Sequence, residues 1–145
     1  MPKVAKASTP SCTCLRLRKA SRRVTQIYDQ ALDAHGLTVT QYGLLGHLKR
    51  FDGIALGALA DILVMDATTL TRTLKPMQAA GWVASRVDAE DARARRLHIT
   101  PRGLAIYKAA RPAWDFAQRR IAGALGGPDS ARLAKTIDRL LAALA

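Results

Sequence analysis

Cysteine is almost absent, since the 145 residues hold only Cys12 and Cys14. That count excludes a disulfide-stapled scaffold, and one residue of spacing makes a bridge within Cys12-Thr13-Cys14 geometrically poor. Aromatic residues stand at 5%, acidic residues number 11, and no apolar run approaches a membrane-spanning length, which is about 18 residues or more. Met1-Pro2-Lys3-Val4-Ala5-Lys6 leads into polar Ser8 to Ser11 instead of an apolar leader, so a soluble, cytoplasmic chain without membrane association is expected. No H-E-x-x-H, phosphate loop, G-x-S-x-G or dinucleotide fingerprint occurs, so neither catalysis nor a cofactor is expected. His35, His47 and His98 fall on three different predicted elements, and two thiols without a third ligand nearby make a weak soft-metal set, so no metal is expected either.

What the chain does have is positive charge. Twenty-three Lys and Arg against 11 Asp and Glu leave +12, which points to a polyanionic partner. The excess is segmental: residues 1–30 carry seven basic and one acidic side chain, and residues 31–65 carry two and three. It returns as seven against four over 66–103 and seven against three over 104–145. With 49% apolar residues and no internal repeat, one domain with a loose arm over residues 1–11 is the expected organisation.

Helical spacing of Leu17, Val24, Ile27, Tyr28, Ala31 and Leu32 predicts a long first helix from Leu15 to about Ala34, stopped by Gly36. Thr38-Val39-Thr40-Gln41 fits a capping box for a second helix reaching Arg50, and Asp52-Gly53 supplies a turn. A short helix over Leu56–Leu63 is followed by Asp66, a good N-cap, and by a helix with Ala67, Leu70, Leu74 and Met77 as its buried stripe. This pair reads as a helix-turn-helix, with Pro76 expected to bend its second member and Gly81 to end it. Trp82–Val87 and Arg96–Ile99 then read as a β-hairpin wing with a polar tip. Thr100 and Pro101 open a fifth helix, kinked at Pro112, and Asp129 or Ser130 caps a last helix striped with Leu133, Ile137, Leu140, Leu141 and Leu144. The fold class is therefore mainly α with a small β-wing, a winged helix-turn-helix between N- and C-terminal helices. The terminal helices carry more apolar face than one small winged domain can cover, which marks an interface.

The exposed face of the helix after Asp66 carries Thr68, Thr69, Thr71, Arg72 and Lys75. Slim hydroxyls can approach base edges and a threonine methyl can meet a thymine methyl, while Arg and Lys reach a guanine edge or a phosphate. Arg93 at the hairpin tip suits a narrow minor groove, with Asp91 placed to hold the tip, and Arg86, Arg95, Arg96 and Arg102 suit phosphates.

Several residues in register resemble the MarR family of winged helix-turn-helix regulators across nearly the whole chain. They are Gly36-Leu37-Thr38 with Gln41, Leu59-Ala60 followed by Thr69-Leu70-Thr71-Arg72, Gly81-Trp82-Val83, Asp88-x-x-Asp91-x-Arg93, and Ile99-Thr100-x-x-Gly103. The resemblance implies a single domain in which residues 12–35 and 101–145 interlock as dimerisation helices and residues 37–100 form the DNA-binding lobe. A homodimer gripping one pseudo-palindromic duplex, most simply as a repressor, is what it implies in function. Two inputs are open. One is a small aromatic ligand in a pocket to which Tyr28, Tyr42, His47 and Trp114 contribute. The other is oxidation of Cys14, which stands 22 residues before Gly36 and 14 before Tyr28. That register is similar to the organic-hydroperoxide branch of the family, with Arg18 where a second tyrosine is expected and Cys12, in the looser arm, as a resolving thiol. The competing reading is a nucleoid-type structural protein that binds DNA or RNA without sequence preference.

Overall fold

Helix starts are set by side chains that reach back to free amides. In the computed structural model, which describes residues 11–145, helix α1 spans Thr13–Leu32 and its N-cap is Cys12, whose Sγ accepts the Leu15 N–H at 3.4 Å. Cys12 thus belongs to the helix start and not to a looser arm; the arm expected over residues 1–11 lies, but for Ser11, outside the described residues. A 3₁₀ turn, Asp33–His35, ends at Gly36 in the left-handed region, φ 68°. Helix α2, Val39–Arg50, has the full capping box: Thr38 Oγ1 accepts the Gln41 N–H at 3.2 Å and Gln41 Oε1 accepts the Thr38 N–H at 3.0 Å.

Helix α3 spans Leu56–Ile62 and α4 spans Ala67–Ala79, with the Asp66 carboxylate accepting the Thr69 N–H at 2.8 Å. Helix α4 runs through Pro76 and closes before Gly81, φ 76°. The buried stripe of α4 is Leu70, Leu74 and Met77; Ala67, in its first turn, is exposed and lies on the outward side with Thr68 and Thr71. Strands β2, Val83–Val87, and β3, Arg95–Ile99, form the hairpin, and a two-residue strand β1, Ile54–Ala55, adds to β3 to give the antiparallel order β1-β3-β2.

Helix α5, Pro101–Leu125, is capped by Thr100 and continues through Pro112. Helix α6, Gly127–Ala143, starts directly after Gly126 at φ 85°, without a side-chain cap. The expected Asp129 or Ser130 cap is not formed, because Pro128 already occupies the first turn and has no N–H to satisfy; Asp129 instead pairs with Arg132 at 3.0 Å.

One core joins the end of α1 (Leu32), α2 (Leu44, Leu45, Leu48), α3 (Leu59), α4 (Leu70, Leu74, Met77) and the sheet (Val83, Leu97). Helix α1 lies along α5, and α6 packs back on α5. Among the described residues no member of the apolar stripe of α6 is buried: Leu133, Ile137, Leu140, Leu141 and Leu144 are all exposed, as are Leu15, Leu17, Phe116 and Leu125. No described helix is long and apolar enough to cross a membrane.

Candidate nucleic-acid interface

Burial of Leu70, Leu74 and Met77 fixes which way α4 faces, so Thr68, Thr71, Arg72 and Lys75 look outward and line one cleft of about 350 Å³ together with Ala67. Their hydroxyls are not equivalent. Thr69 Oγ1 donates to Asp66 Oδ2 at 2.5 Å as part of the helix cap, and Thr71 Oγ1 donates to the Ala67 carbonyl at 2.8 Å. Thr68 keeps its hydroxyl uncommitted among the described residues, while Thr71 offers lone pairs and a methyl. The Thr69 hydroxyl and amide hold the Asp66 carboxyl below the usual carboxylate range, so the cap stays ionised at neutral pH.

Register sorts the wing arginines. Val83 lies opposite Ile99, Ser85 opposite Leu97 and Val87 opposite Arg95, and this face, anchored by buried Val83 and Leu97, packs toward α4. Arg95 therefore faces α4. Arg86, opposite Arg96, lies on the reverse face. There Arg96 donates from Nε to Asp88 Oδ2 at 2.7 Å and from Nη1 to the Gly53 carbonyl at 3.2 Å, which ties the hairpin to the turn before β1. Asp88 also accepts the Glu90 N–H at 2.9 Å; these two hydrogen bonds, the amide's first, hold its carboxyl below the usual range. Sequence reasoning does not single out Asp88 as a wing-stabilising residue, although it opens the motif that contains Asp91; its link to a residue eight positions on needs the hairpin register.

At the tip, Asp91 Oδ1 accepts the backbone N–H of Arg93 at 3.0 Å and the Asp91 carbonyl accepts the Ala94 N–H. The carboxylate shapes the turn through the backbone, and among the described residues the Arg93 guanidinium enters no ion pair. An exposed cation at a hairpin tip suits the concentrated negative potential of a narrow minor groove.

The hairpin root is fastened to α5 by a compact corner. Thr100 Oγ1 donates to the Gly81 carbonyl at 2.6 Å and accepts the Gly103 N–H at 2.9 Å, and the Thr100 N–H reaches the Trp82 carbonyl at 3.0 Å. Gly103 passes so near β2 that a Cβ there would sit 2.1 Å from the Trp82 oxygen.

A separate cleft of about 320 Å³ lies between α2 and α5, lined by Tyr42, His47, Arg50, Phe51, Tyr107 and Trp114. Three of the four residues predicted for a ligand pocket meet there. Tyr28 stands behind Trp114, its ring 6.0 Å away, and its hydroxyl donates to the Gln118 side-chain oxygen. Tyr107, which the sequence places on the fifth helix with Trp114 but not at a pocket, sits two turns before Trp114 on the same helical face; its ring stacks on Tyr42 at 4.7 Å. The Tyr42 hydroxyl is buried with no hydrogen-bond partner among the described residues, and burial, with Tyr107 beside it, pushes its pKa up. His47 Nδ1 lies 2.7 Å from the Gly43 carbonyl. Cys12 and Cys14 are both exposed at the start of α1.

A model of the MarR family matches residues 35–94. Among solved structures, the chain is similar to the Mycobacterium tuberculosis transcriptional regulator MosR in complex with DNA, with 32% identity and a TM-score of 0.74, covering 89% of this chain and 98% of that one. It is 30% identical over 96 residues to the transcriptional activatory protein BadR of Rhodopseudomonas palustris, 64% of this chain and 55% of BadR. It is 29% identical over 97 residues to the organic hydroperoxide resistance transcriptional regulator of Bacillus subtilis, 67% of this chain and 66% of that protein. The chain thus spans between about half and two thirds of the length of these two relatives.

Proposed function

The chain belongs to the MarR family, and from that premise we propose that it is a dimeric, sequence-specific DNA-binding regulator of transcription and not an enzyme. The observation that carries this reading is the pairing of one outward α4 face, Thr68, Thr71, Arg72 and Lys75, with an arginine, Arg93, held free at the wing tip. Helix α4 enters a major groove and Arg93 the adjacent minor groove, while Arg86, Arg95 and Arg96 serve the phosphates. Residues 37–100, the lobe that would meet DNA, hold eight basic and six acidic side chains. Near-balance of charge there favours reading of bases over the charge-driven binding of a nucleoid-type protein.

Two copies join through α1, α5 and α6, whose exposed leucines supply the contact, and a two-fold dimer matches a pseudo-palindrome with half-site centres about one helical turn, ~10 bp, apart. The test is an anisotropy titration against duplexes recovered by selection and against random duplex, with Arg72→Ala and Arg93→Ala each expected to weaken selected binding by ~1–3 kcal/mol. Equal affinity for both duplex types would favour the nucleoid-type reading, and full affinity of a monomer for one half-site would refute the docking.

For the input, the α2–α5 cleft with its unpaired Tyr42 hydroxyl and the Arg50 side chain suits a small aromatic ligand bearing a polar or acidic group. A second input is favoured by the two exposed thiols at the α1 start and by the hydroperoxide-resistance relative. Release of DNA by either makes the protein a repressor, although BadR is by name activatory. DNA binding by wild type, Cys12→Ser and Cys14→Ser before and after mild hydroperoxide separates the two inputs. Oxidant-independent binding by all three rejects the thiols.

A further inference from the structure

Between α4 and the wing lies a second cleft of about 350 Å³ on the lobe, lined by Thr71 and Gln78 of α4, Ser85 of β2 and Arg95 of β3, with Leu56 and Leu74 completing its wall. Gln78, Ser85 and Arg95 are exposed, and among the described residues none of them is held by an ion pair or a side-chain hydrogen bond. The strand register explains why they converge: Ser85 and Arg95 sit on the α4-facing side of the hairpin, each two residues beyond the buried Val83 and Leu97, where the hairpin extends past the core.

We propose that this cleft is the seat of the single sugar-phosphate strand that separates the two grooves, with Arg95 pairing one phosphate and Ser85 and Gln78 donating hydrogen bonds to its oxygens. The inference rests on the docking proposed above and adds a constraint of duplex geometry. A major groove and its neighbouring minor groove are divided by one backbone strand. If α4 fills the first and Arg93 the second, that strand must cross the surface between them, and this cleft is that surface. Its donors are of the kind that phosphate takes: a guanidinium, a hydroxyl and a carboxamide. Asp88, the carboxylate that directly follows β2, is already held on the opposite side by Arg96. Gln78 and Ser85 therefore position the protein on DNA without reading sequence.

The experiment measures Kd over a salt series for the full chain and for Gln78→Ala, Ser85→Ala and Arg95→Gln, on one selected and one random duplex. Arg95→Gln should flatten the log Kd against log salt plot by about two over the dimer, since each phosphate that is no longer neutralised takes ~0.9 off the slope. Ser85→Ala and Gln78→Ala should weaken both duplexes alike, each about three- to tenfold, with the slope unchanged because no charge is removed. A selected duplex carrying a neutral methylphosphonate at the crossing phosphate should bind wild type and Arg95→Gln equally. An unchanged salt slope for Arg95→Gln, or weakening confined to the selected duplex, overturns the assignment while leaving the groove docking intact. Failure of wild type to bind any duplex overturns both.

Discussion

Two glycines inside helices should respond to alanine with opposite signs. Alanine in place of glycine in a helix interior normally stabilises by ~0.5–1 kcal/mol, through the smaller entropy of the unfolded chain. Gly43 in α2 has nothing within 4 Å of an added Cβ, so Gly43→Ala should follow that rule. Gly103 in α5 should reverse it, because its Cβ would lie 2.1 Å from the Trp82 oxygen and 3.0 Å from the Trp82 carbonyl carbon, both backbone atoms. Relief requires α5 to lift off β2 by close to an ångström, which breaks the Thr100 N–H to Trp82 bond and the Thr100 hydroxyl to Gly81 bond. Two hydrogen bonds at ~0.5–1.5 kcal/mol each, added to ~1–3 kcal/mol of overpacking, give a loss of about 2–6 kcal/mol. That corresponds to a melting temperature lower by roughly 5–25 °C for a chain of this size. Urea and thermal denaturation at one fixed protomer concentration measure it, since a dimer's stability depends on concentration. A Gly103→Ala variant as stable as wild type would refute the reasoning.

Val64, between α3 and α4, is a β-branched residue at φ 51° and is 80% exposed, so Val64→Asn should raise stability by ~0.5–1 kcal/mol in the same melts, and a fall would count against strain there. Asp88 is bound as a carboxylate, so its folded pKa lies below the unfolded value near ~4. Its contribution is present above that value and lost as pH falls through the folded pKa. Acid titration followed by Trp82 fluorescence in a Trp114→Phe background should therefore show hairpin loosening that Asp88→Asn largely removes. Leu140→Glu on the open face of α6 should leave the helical circular dichroism intact while weakening self-association. Leu140 is 36% exposed, so about a third of the ~1.5–3 kcal/mol of a fully buried leucine is at stake in each of two copies, and sedimentation should detect a loss on the order of tenfold.

Features written in short-range chemistry are legible from the chain: the Thr38/Gln41 box, the Asp66 cap and the Thr100-Pro101 start each rest on neighbours within three residues. The apolar stripe of α6 is equally plain, and its exposure agrees with the expectation that it covers something outside one winged domain. What the chain conceals depends on partners far along it. Strand β1 is two residues long and exists only because Ile54 and Ala55 meet Leu97 and Arg96. Adjacent Arg95 and Arg96 look alike in sequence, yet alternation along β3 sends one toward α4 and the other to Asp88 and Gly53. Cys12 is hard to recognise as a helix cap because thiols are poor candidates by residue type, and a serine there would have signalled the start.

Helix α4 divides its labour cleanly between its two sides. Leu70, Leu74 and Met77 anchor it, whereas Thr68, Arg72 and Lys75 contribute nothing to the core. Substitutions at those outward positions stay close to neutral for folding, so under the docking proposed above the choice of target could drift, or be redesigned, without approaching the stability threshold that constrains the rest of the chain. On that proposal the lobe is an evolvable chassis: a new address would be written on three or four side chains while the fold beneath them is inherited unchanged.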